Sequence, residues 1–248
     1  MQNNFFFLDS FSNIYKKPSI TSEVTSQIIY GEKFKILSKN KNWIKIKTLF
    51  DNYKGFIKNS NYTDKFNPHY KVSTIKARIF KKPGIRTGNW LPFASRLSVL
   101  EKNKNYIKIE KKKWVKKTDI KKFTYKEKNF VKILKKFLNI KYVWGGKTFK
   151  GIDCSALLQI FFYYNNSFYP RDTKDQIKFT KKNLIKRKFQ KGDIIFWKGH
   201  VAMCLNTKQL IHAYGPENKV IIMPIIETIN RIQRTAKLKV KKISKIKY

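Results

Sequence analysis

Cysteine, acid and long apolar runs are all scarce in this 248-residue chain. Its two cysteines, Cys154 and Cys204, are too few to staple a scaffold with disulfides. No apolar run approaches the roughly 18 residues that cross a bilayer as a helix, which excludes a helical membrane span. The opening MQNNFFFLDS has no basic n-region, no long apolar stretch and no small-residue cleavage site, so a cytoplasmic protein with two reduced thiols is expected. Asp and Glu number 15 against 56 Lys and Arg, a net charge of +41. That excess attracts polyanions: nucleic acid, anionic lipid or an acidic substrate. Arginine is also scarce, and the charge is spread as +6 over 1–66, +15 over 67–128 and +20 over 129–248. A dedicated phosphate-backbone reader concentrates its charge in one Arg-rich stripe. Dispersed Lys, beside heavy use of Asn, Ile, Phe and Tyr, reads instead as compositional bias, so no specific nucleic-acid partner is expected. The densest run, Lys111-Lys112-Lys113 with Lys116, Lys117, Lys121 and Lys122, is the candidate patch. On a strand edge the same lysines would only discourage sheet-to-sheet pairing.

Apolar residues make up 42% of the chain, enough for real cores. A repeat organises the first half. YGEKFKILSKNKNWIKI from Tyr30 aligns without a gap on FASRLSVLEKNKNYIKI from Phe93. Two copies mean two small domains, not a solenoid, which needs three or more. Within each copy apolar residues alternate, as in Trp43-Ile44-Lys45-Ile46, and Asp51 to Gly55 reads as a turn before Phe56-Ile57. Short strands with frequent turns predict small barrels of about 60 residues. Residues 12–66, and more faintly 70–123, resemble bacterial SH3-type domains, a likeness that in bacterial proteins implies wall or peptide recognition.

From Lys126 the period becomes helical, with Phe130, Ile133, Leu134 and Leu138 on one face. A second apolar run spans Ala156–Tyr164. Strands are expected at 194–197, 200–205, 209–213 and 220–223. Helices followed by antiparallel strands predict an α+β domain. The expected division is 1–66, 67–125 and 126–248.

Three stretches hold the chemistry: Tyr142-Val143-Trp144-Gly145-Gly146, Asp153-Cys154-Ser155, and the segment from Gly192-Asp193 through His200 to His212. Asp153 is a good N-cap, so Cys154 is expected in the first turn of a helix. There the free N–H groups and the dipole favour a thiolate, lowering the thiol from its usual value of about 8.5. Such a thiolate can attack a carbonyl beside a base, with its own backbone N–H as an oxyanion donor. His200 and His212 fall on successive strands around Asn206-Thr207. A hairpin centred on residue 206 pairs them directly on one face, whereas a centre between 206 and 207 puts them on opposite faces. The first register supplies a base, His200, and an orienting partner, His212. Cys204, between Met203 and Leu205, reads as core. A zinc site of Cys154, His200 and His212 is the alternative, although the spacing is not that of known zinc motifs.

The stretches YVWGG, DCSALLQ, PRDT-x-x-Q, GD-x-IFW, HVAMCL and LIHA, over about residues 128–232, closely resemble the NlpC/P60 cysteine peptidases. The resemblance implies a papain-like core, preceded here by two SH3-like β-barrels, that cleaves peptidoglycan stem peptides between D-glutamate and a diamino acid. It makes Cys154 the nucleophile, His200 the base and His212 the orienting residue, with no metal or organic cofactor. The SH3-type pair narrows the likeness to enzymes acting on fragments with a free N-terminal L-alanine, in which the first SH3-type domain walls off the substrate groove. By that likeness Tyr142, Asp153 and Ser155 hold the amino group, Glu23 and Tyr53 are the first barrel's contribution, and Arg171 is a clamp for a substrate carboxylate. Two other readings stay open: a wall- or polyanion-binding protein with an inactive peptidase domain, and an acyltransferase or amidase on the same core.

Overall fold

A computed structural model of the chain describes residues 4–180 and 188–246. They fall into two units, Met1–Lys126 and Glu127–Tyr248. The first unit opens with β1 (Asn4–Phe7), β2 (Phe11–Tyr15), β3 (Val24–Ile29), β4 (Lys33–Lys39), β5 (Trp43–Thr48), β6 (Lys54–Lys58) and β7 (Tyr62–Thr63). These form one antiparallel sheet in the order β3-β2-β6-β5-β4-β1-β7. Alternation does the sorting: Ile44 and Ile46 of β5 go inward with Phe7, Ile14, Ile28, Phe34 and Ile57, and Trp43, Lys45 and Lys47 stay half-buried.

The same unit continues with β8 (Tyr70–Val72), β9 (Lys76–Lys82), β10 (Ile85–Pro92), β11 (Arg96–Leu97), β12 (Glu101–Lys102), β13 (Tyr106–Glu110), β14 (Lys113–Lys116) and β15 (Ile120–Lys122). Five of these make a sheet in the order β10-β9-β14-β13-β12, and three make β11-β8-β15. The repeat is structural as well as textual. Asn40 Oδ1 accepts from the N–H groups of Asn42 and Trp43 at 3.2 and 2.8 Å. At the equivalent place Asn103 Oδ1 accepts from Asn105 and Tyr106 at 3.0 and 2.8 Å. The KNKN text is thus one Asx turn used twice, each feeding a strand that begins with an aromatic residue. Gly31 and Ala94, also equivalent, both have positive φ, at 72° and 67°. Only the first requires glycine, since a Cβ there would lie 2.2 Å from the Arg96 carbonyl oxygen.

The lysine-rich run differs from expectation. Strand β14 lies inside its sheet between β9 and β13, so Lys113 and Lys116 are not on an edge. Lys113 pairs with Glu110 at 2.9 Å, and Lys111 and Lys112 form the exposed turn before it. The turn at Asp51 is present, but β6 starts two residues earlier than expected, at Lys54.

The second unit contains α1 (Phe130–Leu134), β16 (Lys147–Thr148), β17 (Gly151–Ile152), α2 (Cys154–Tyr164) and α3 (Thr173–Phe179), followed by β18 (Asp193–Trp197), β19 (His200–Cys204) and β20 (Gln209–Tyr214). Then come β21 (Lys219–Pro224), α4 (Ile225–Ala236) and β22 (Lys242–Lys245). The antiparallel sheet runs β21-β20-β19-β18-β22. Helix α1 is shorter than its apolar spacing suggests. It tightens into a 3-10 turn at Lys135–Phe137 and stops before Asn139, which has φ 64°. Helix α2 is buried on every side, which is why its sequence is apolar nearly throughout. Helix α4 and strand β22 were outside the sequence expectation. The signal for α4 is the apolar series Ile225, Ile229 and Ile232, whose members pack with Ala202, Cys204, Leu210 and Tyr214 of the sheet.

Candidate active site

Asp153 occupies the N-cap of α2, its Oδ1 accepting from the Ala156 N–H at 2.8 Å. Cys154 is therefore the first residue of the helix, as its sequence context dictates. The thiol is almost fully buried and donates to the Gly199 carbonyl oxygen at a long 4.0 Å. The backbone N–H of Val201 and the hydroxyl of Thr173 lie near enough to favour this sulfur as an anion. Gly199 and Val201 flank His200, so the start of β19 is fixed against the thiol from both sides. Thr173 was not foreseen. It opens α3 directly after the Pro170-Arg171-Asp172 turn, and that position in the motif is its signal.

The electrostatics overturn one expectation. Burial, helped by the Asp153 charge, pushes the Cys154 thiol up to about 12, against the weaker pull of Val201, Thr173 and Arg171. Desolvation of an anion outweighs the helix N-terminus here, so the resting sulfur carries its proton. Burial likewise pulls His200 down to about 4, leaving a neutral imidazole. His212 is held well below its ordinary value by burial, by His200 and by Arg231.

The two histidines meet, though not in the expected register. The ladder pairs Met203 with Ile211 and Cys204 with Leu210, so the hairpin centres on Thr207 and not on Asn206. The shift is a whole residue, which moves each partner by two positions and keeps both histidines in rows on one face. They are diagonal neighbours, and Nε2 of His200 lies 2.9 Å from Nδ1 of His212. The far nitrogen of His212, Nε2, lies 3.4 Å from the Met223 sulfur, which can only accept. That fixes the proton on His212 Nε2, so its Nδ1 accepts from His200 Nε2–H. The remaining nitrogen of His200, Nδ1, is left bare to take a proton. The ring of His212 stacks on Tyr214 at 4.6 Å and 12°, and the Arg231 guanidinium caps Tyr214 at 5.5 Å. Among the described residues no cluster of three His, Cys, Asp or Glu has metal-binding geometry.

Arg171 is buried and forks onto Asp153, Nη2 to Oδ2 at 2.6 Å and Nη1 to Oδ1 at 3.0 Å. The same guanidinium reaches Ser155 Oγ at 2.8 Å and the Gly146 carbonyl at 3.4 Å. Asp153 also accepts from Ser155 Oγ and from the Gly145 N–H, at 3.1 and 3.0 Å. The fork that the sequence offers to a substrate carboxylate thus grips Asp153, and the Asp153 charge is already compensated. Gln176, three residues beyond Thr173, donates to the carbonyls of Ser155 and Pro170, both at 2.9 Å, and ties this loop to α2. Tyr142 is half-buried, and its hydroxyl is pushed up by burial and by the nearness of Cys154 and Asp153. The structure therefore brings Tyr142, Asp153, Ser155 and Arg171 around the nucleophile.

Glu23 and Tyr53 belong to the first unit, where both converge on the start of β3. Glu23 pairs with Lys16 at 3.4 Å, and the Tyr53 hydroxyl donates to the Thr25 carbonyl at 3.3 Å. Cys204 is buried in the cluster shared by the sheet and α4.

The NlpC/P60 family matches residues 139–237, a span that runs from the turn before Tyr142 through α4. The second unit is an NlpC/P60 domain. A bacterial SH3 domain matches residues 10–63 of the first unit. Dipeptidyl-peptidase 6 of Lysinibacillus sphaericus is 23% identical over 87% of this chain and 89% of its own length. A γ-D-glutamyl-L-lysine dipeptidyl-peptidase of Bacillus cereus is 24% identical over 82% of this chain and 71% of its own. An NlpC/P60 family protein of Bacillus cereus, seen in a crystal structure, matches with a TM-score of 0.77 at 19% identity. That match covers 90% of this chain and 94% of the other and is a likeness of fold. The NlpC/P60 fold here follows an SH3-like, β-rich N-terminal region.

Proposed function

We propose that this protein hydrolyses the γ-D-glutamyl–diamino acid bond of peptidoglycan-derived stem peptides bearing a free N-terminal L-alanine. The enzyme class is that of a cysteine-type peptidase, and the coarser substrate, peptidoglycan peptides, goes with its family. The observation that carries the reading is a thiol at a helix N-terminus, flanked by backbone groups on either side of a histidine whose tautomer a second histidine sets. The finer substrate is supported by relatives named for γ-D-glutamyl-L-lysine dipeptidyl-peptidase activity.

The chemistry follows from the protonation states. A neutral thiol beside a neutral imidazole means that His200 Nδ1 takes the Cys154 proton as sulfur attacks the amide carbonyl, not before. The Cys154 N–H stands ready to receive the developing oxyanion. His200 then gives the proton to the leaving amine, the C–N bond breaks and a thioester remains. Water, deprotonated by His200, releases the acid and restores the thiol. During both steps His212 stabilises the imidazolium by accepting from Nε2–H.

For the amino terminus the candidates are Tyr142 and Ser155, with Asp153 sharing its charge between the ammonium and Arg171. Arg171 acts by holding Asp153. Selectivity for free fragments goes with a recycling role in the cytoplasm. The test is cleavage of L-Ala-γ-D-Glu-diamino acid, its N-acetyl form and intact sacculi, with products identified by mass spectrometry. The reading expects L-Ala-D-Glu from the free peptide alone. Equal cleavage of all three would overturn the amino-terminal selectivity, and acyl transfer or side-chain deamidation products would overturn the peptidase reading.

A further inference from the structure

The outer face of the β10-β9-β14-β13-β12 sheet alternates cations with aromatic rings. Register places Arg86 opposite Phe80, Phe80 opposite Trp114, and Trp114 opposite Lys108. In the neighbouring positions Trp90 opposes Arg78, and Tyr106 opposes Lys116. The Arg78 guanidinium lies 3.9 Å above the Trp90 ring, and Lys76 approaches the same ring at 4.4 Å. Lys116 sits 5.8 Å from the Phe80 ring. These contacts restrain long side chains that would otherwise be freely mobile, so less entropy is lost when they bind something.

Arg78, Arg86 and Lys116 converge on one cavity of about 280 Å³, with Phe80 as an apolar wall and Thr118 and Asp119 on the rim. Three cations against one carboxylate leave two positive charges in the cup. Lys116 and the Thr118 hydroxyl both favour the Asp119 carboxylate, and no ion pair within 4 Å ties up Arg78 or Arg86 among the described residues. Arg78 spends one N–H on the Thr87 carbonyl at 3.4 Å, which further fixes the plane of its fork.

Composition sharpens the point. Lysine supplies most of the positive charge of this chain, yet two of the three cations here are arginine. Dispersed lysine is explained by composition, whereas paired arginine forks are suited to an anion with several oxygens in fixed geometry. A carboxylate brings a single negative charge. A phosphate monoester brings about 1.5 to 2 at neutral pH, which matches the excess; a phosphodiester brings one, like a carboxylate, and both present tetrahedral acceptor oxygens to the two forks and the ammonium.

We propose that this cup on the second half of the first unit binds a phosphate group, through Arg78, Arg86 and Lys116. The site is remote in sequence from the peptidase residues, and the proposal is independent of the substrate assigned to them. The phosphate can be the end of a small monoester or one link of a phosphodiester polymer.

The experiment is an NMR titration of the full chain with inorganic phosphate, methyl phosphate and dimethyl phosphate, at constant ionic strength maintained with sodium chloride. The proposal expects saturable shifts of the Thr118 amide and of the Arg78 and Arg86 Nε resonances. Arg86→Gln and Lys116→Gln, both at exposed positions, should each weaken binding at least about tenfold, the usual scale of a charge-assisted hydrogen bond. Lys111→Gln with Lys112→Gln removes two charges from the nearby turn and should leave affinity within about twofold, since an exposed charge not touching the ligand contributes little. Saturation by dimethyl phosphate assigns the polymer source, and saturation by the monoester alone assigns the small-molecule source. Linear, unsaturable shifts spread over the lysine-rich surface, or equal loss on changing Lys111 and Lys112, would overturn the site.

Discussion

Nε2 of His200 lies 2.9 Å from Nδ1 of His212, and the Met223 sulfur on the far side of His212 settles which nitrogen donates. The orienting residue is therefore needed as an acceptor and not as a charge. His212→Asn keeps an acceptor oxygen and should retain a measurable fraction of kcat. His212→Leu should lose about 100-fold or more, the scale on which general base catalysis acts. His200→Ala should approach the loss caused by removing the thiol. Equal kcat values for the Asn and Leu variants would show that the acceptor does not matter.

A buried neutral thiol has a kinetic signature. Cys154→Ala should abolish cleavage, while Cys204→Ala should leave turnover nearly unchanged. With the thiol pushed up to about 12, alkylation of Cys154 by iodoacetamide should be slow at pH 7 and still rising at pH 9. A rate that reaches its plateau below pH 7 would mean a preformed thiolate.

The Asp153–Arg171 pair is buried, so breaking it leaves one charge unmatched. Asp153→Asn should cost about 3–5 kcal/mol of stability in urea unfolding. The double change Asp153→Asn with Arg171→Gln should recover much of that. If the single variant unfolds like the wild type, the pair is not structural and an ammonium-binding role for Asp153 gains weight.

Acid should loosen the site. His200, held at about 4 in the fold against about 6.5 in the unfolded chain, is neutral where the unfolded chain is protonated. Its contribution to stability is therefore complete above pH 6.5 and is lost as pH falls toward 4, by up to about 1.4 kcal/mol per pH unit. His212, also held low, adds to the same slope. The urea midpoint should fall from pH 7.5 to 4.5, and the variant His200→Asn/His212→Asn should show a flatter fall. An unchanged slope would assign the acid sensitivity to other groups.

The stack behind His212 should matter through the two histidines it packs. Tyr214 stacks on the His212 ring at 4.6 Å and tilts against the His200 ring at 5.8 Å, with Arg231 over its own ring. Tyr214→Leu should lower kcat with KM little changed and shift the acid limb of the pH–rate profile upward, as the looser ring protonates more easily. A change in KM with an unmoved pH profile would make the residue a substrate contact.

Some of this was legible in the residues themselves. Asp153 before an apolar run announces a capped helix, and that alone puts Cys154 in its first turn. The KNKN repeat announces two turns, and Asn40 and Asn103 make them in the same way. Alternation announces β18 to β21 and puts the two histidines on neighbouring strands. Each of these signals is contained in a few adjacent residues, because capping, turn geometry and strand period are local properties of the backbone. Tertiary structure decided the rest. It placed the hairpin centre at Thr207, turned the Arg171 fork onto an aspartate 18 residues away, drew Thr173 to the sulfur and gathered Arg78, Arg86 and Lys116 into one cup. It also reversed the expected state of Cys154. A helix N-terminus is written in the sequence next to the cysteine, but desolvation is imposed by residues distant in the chain, and in a buried site removing water from a charge outweighs the dipole beside it.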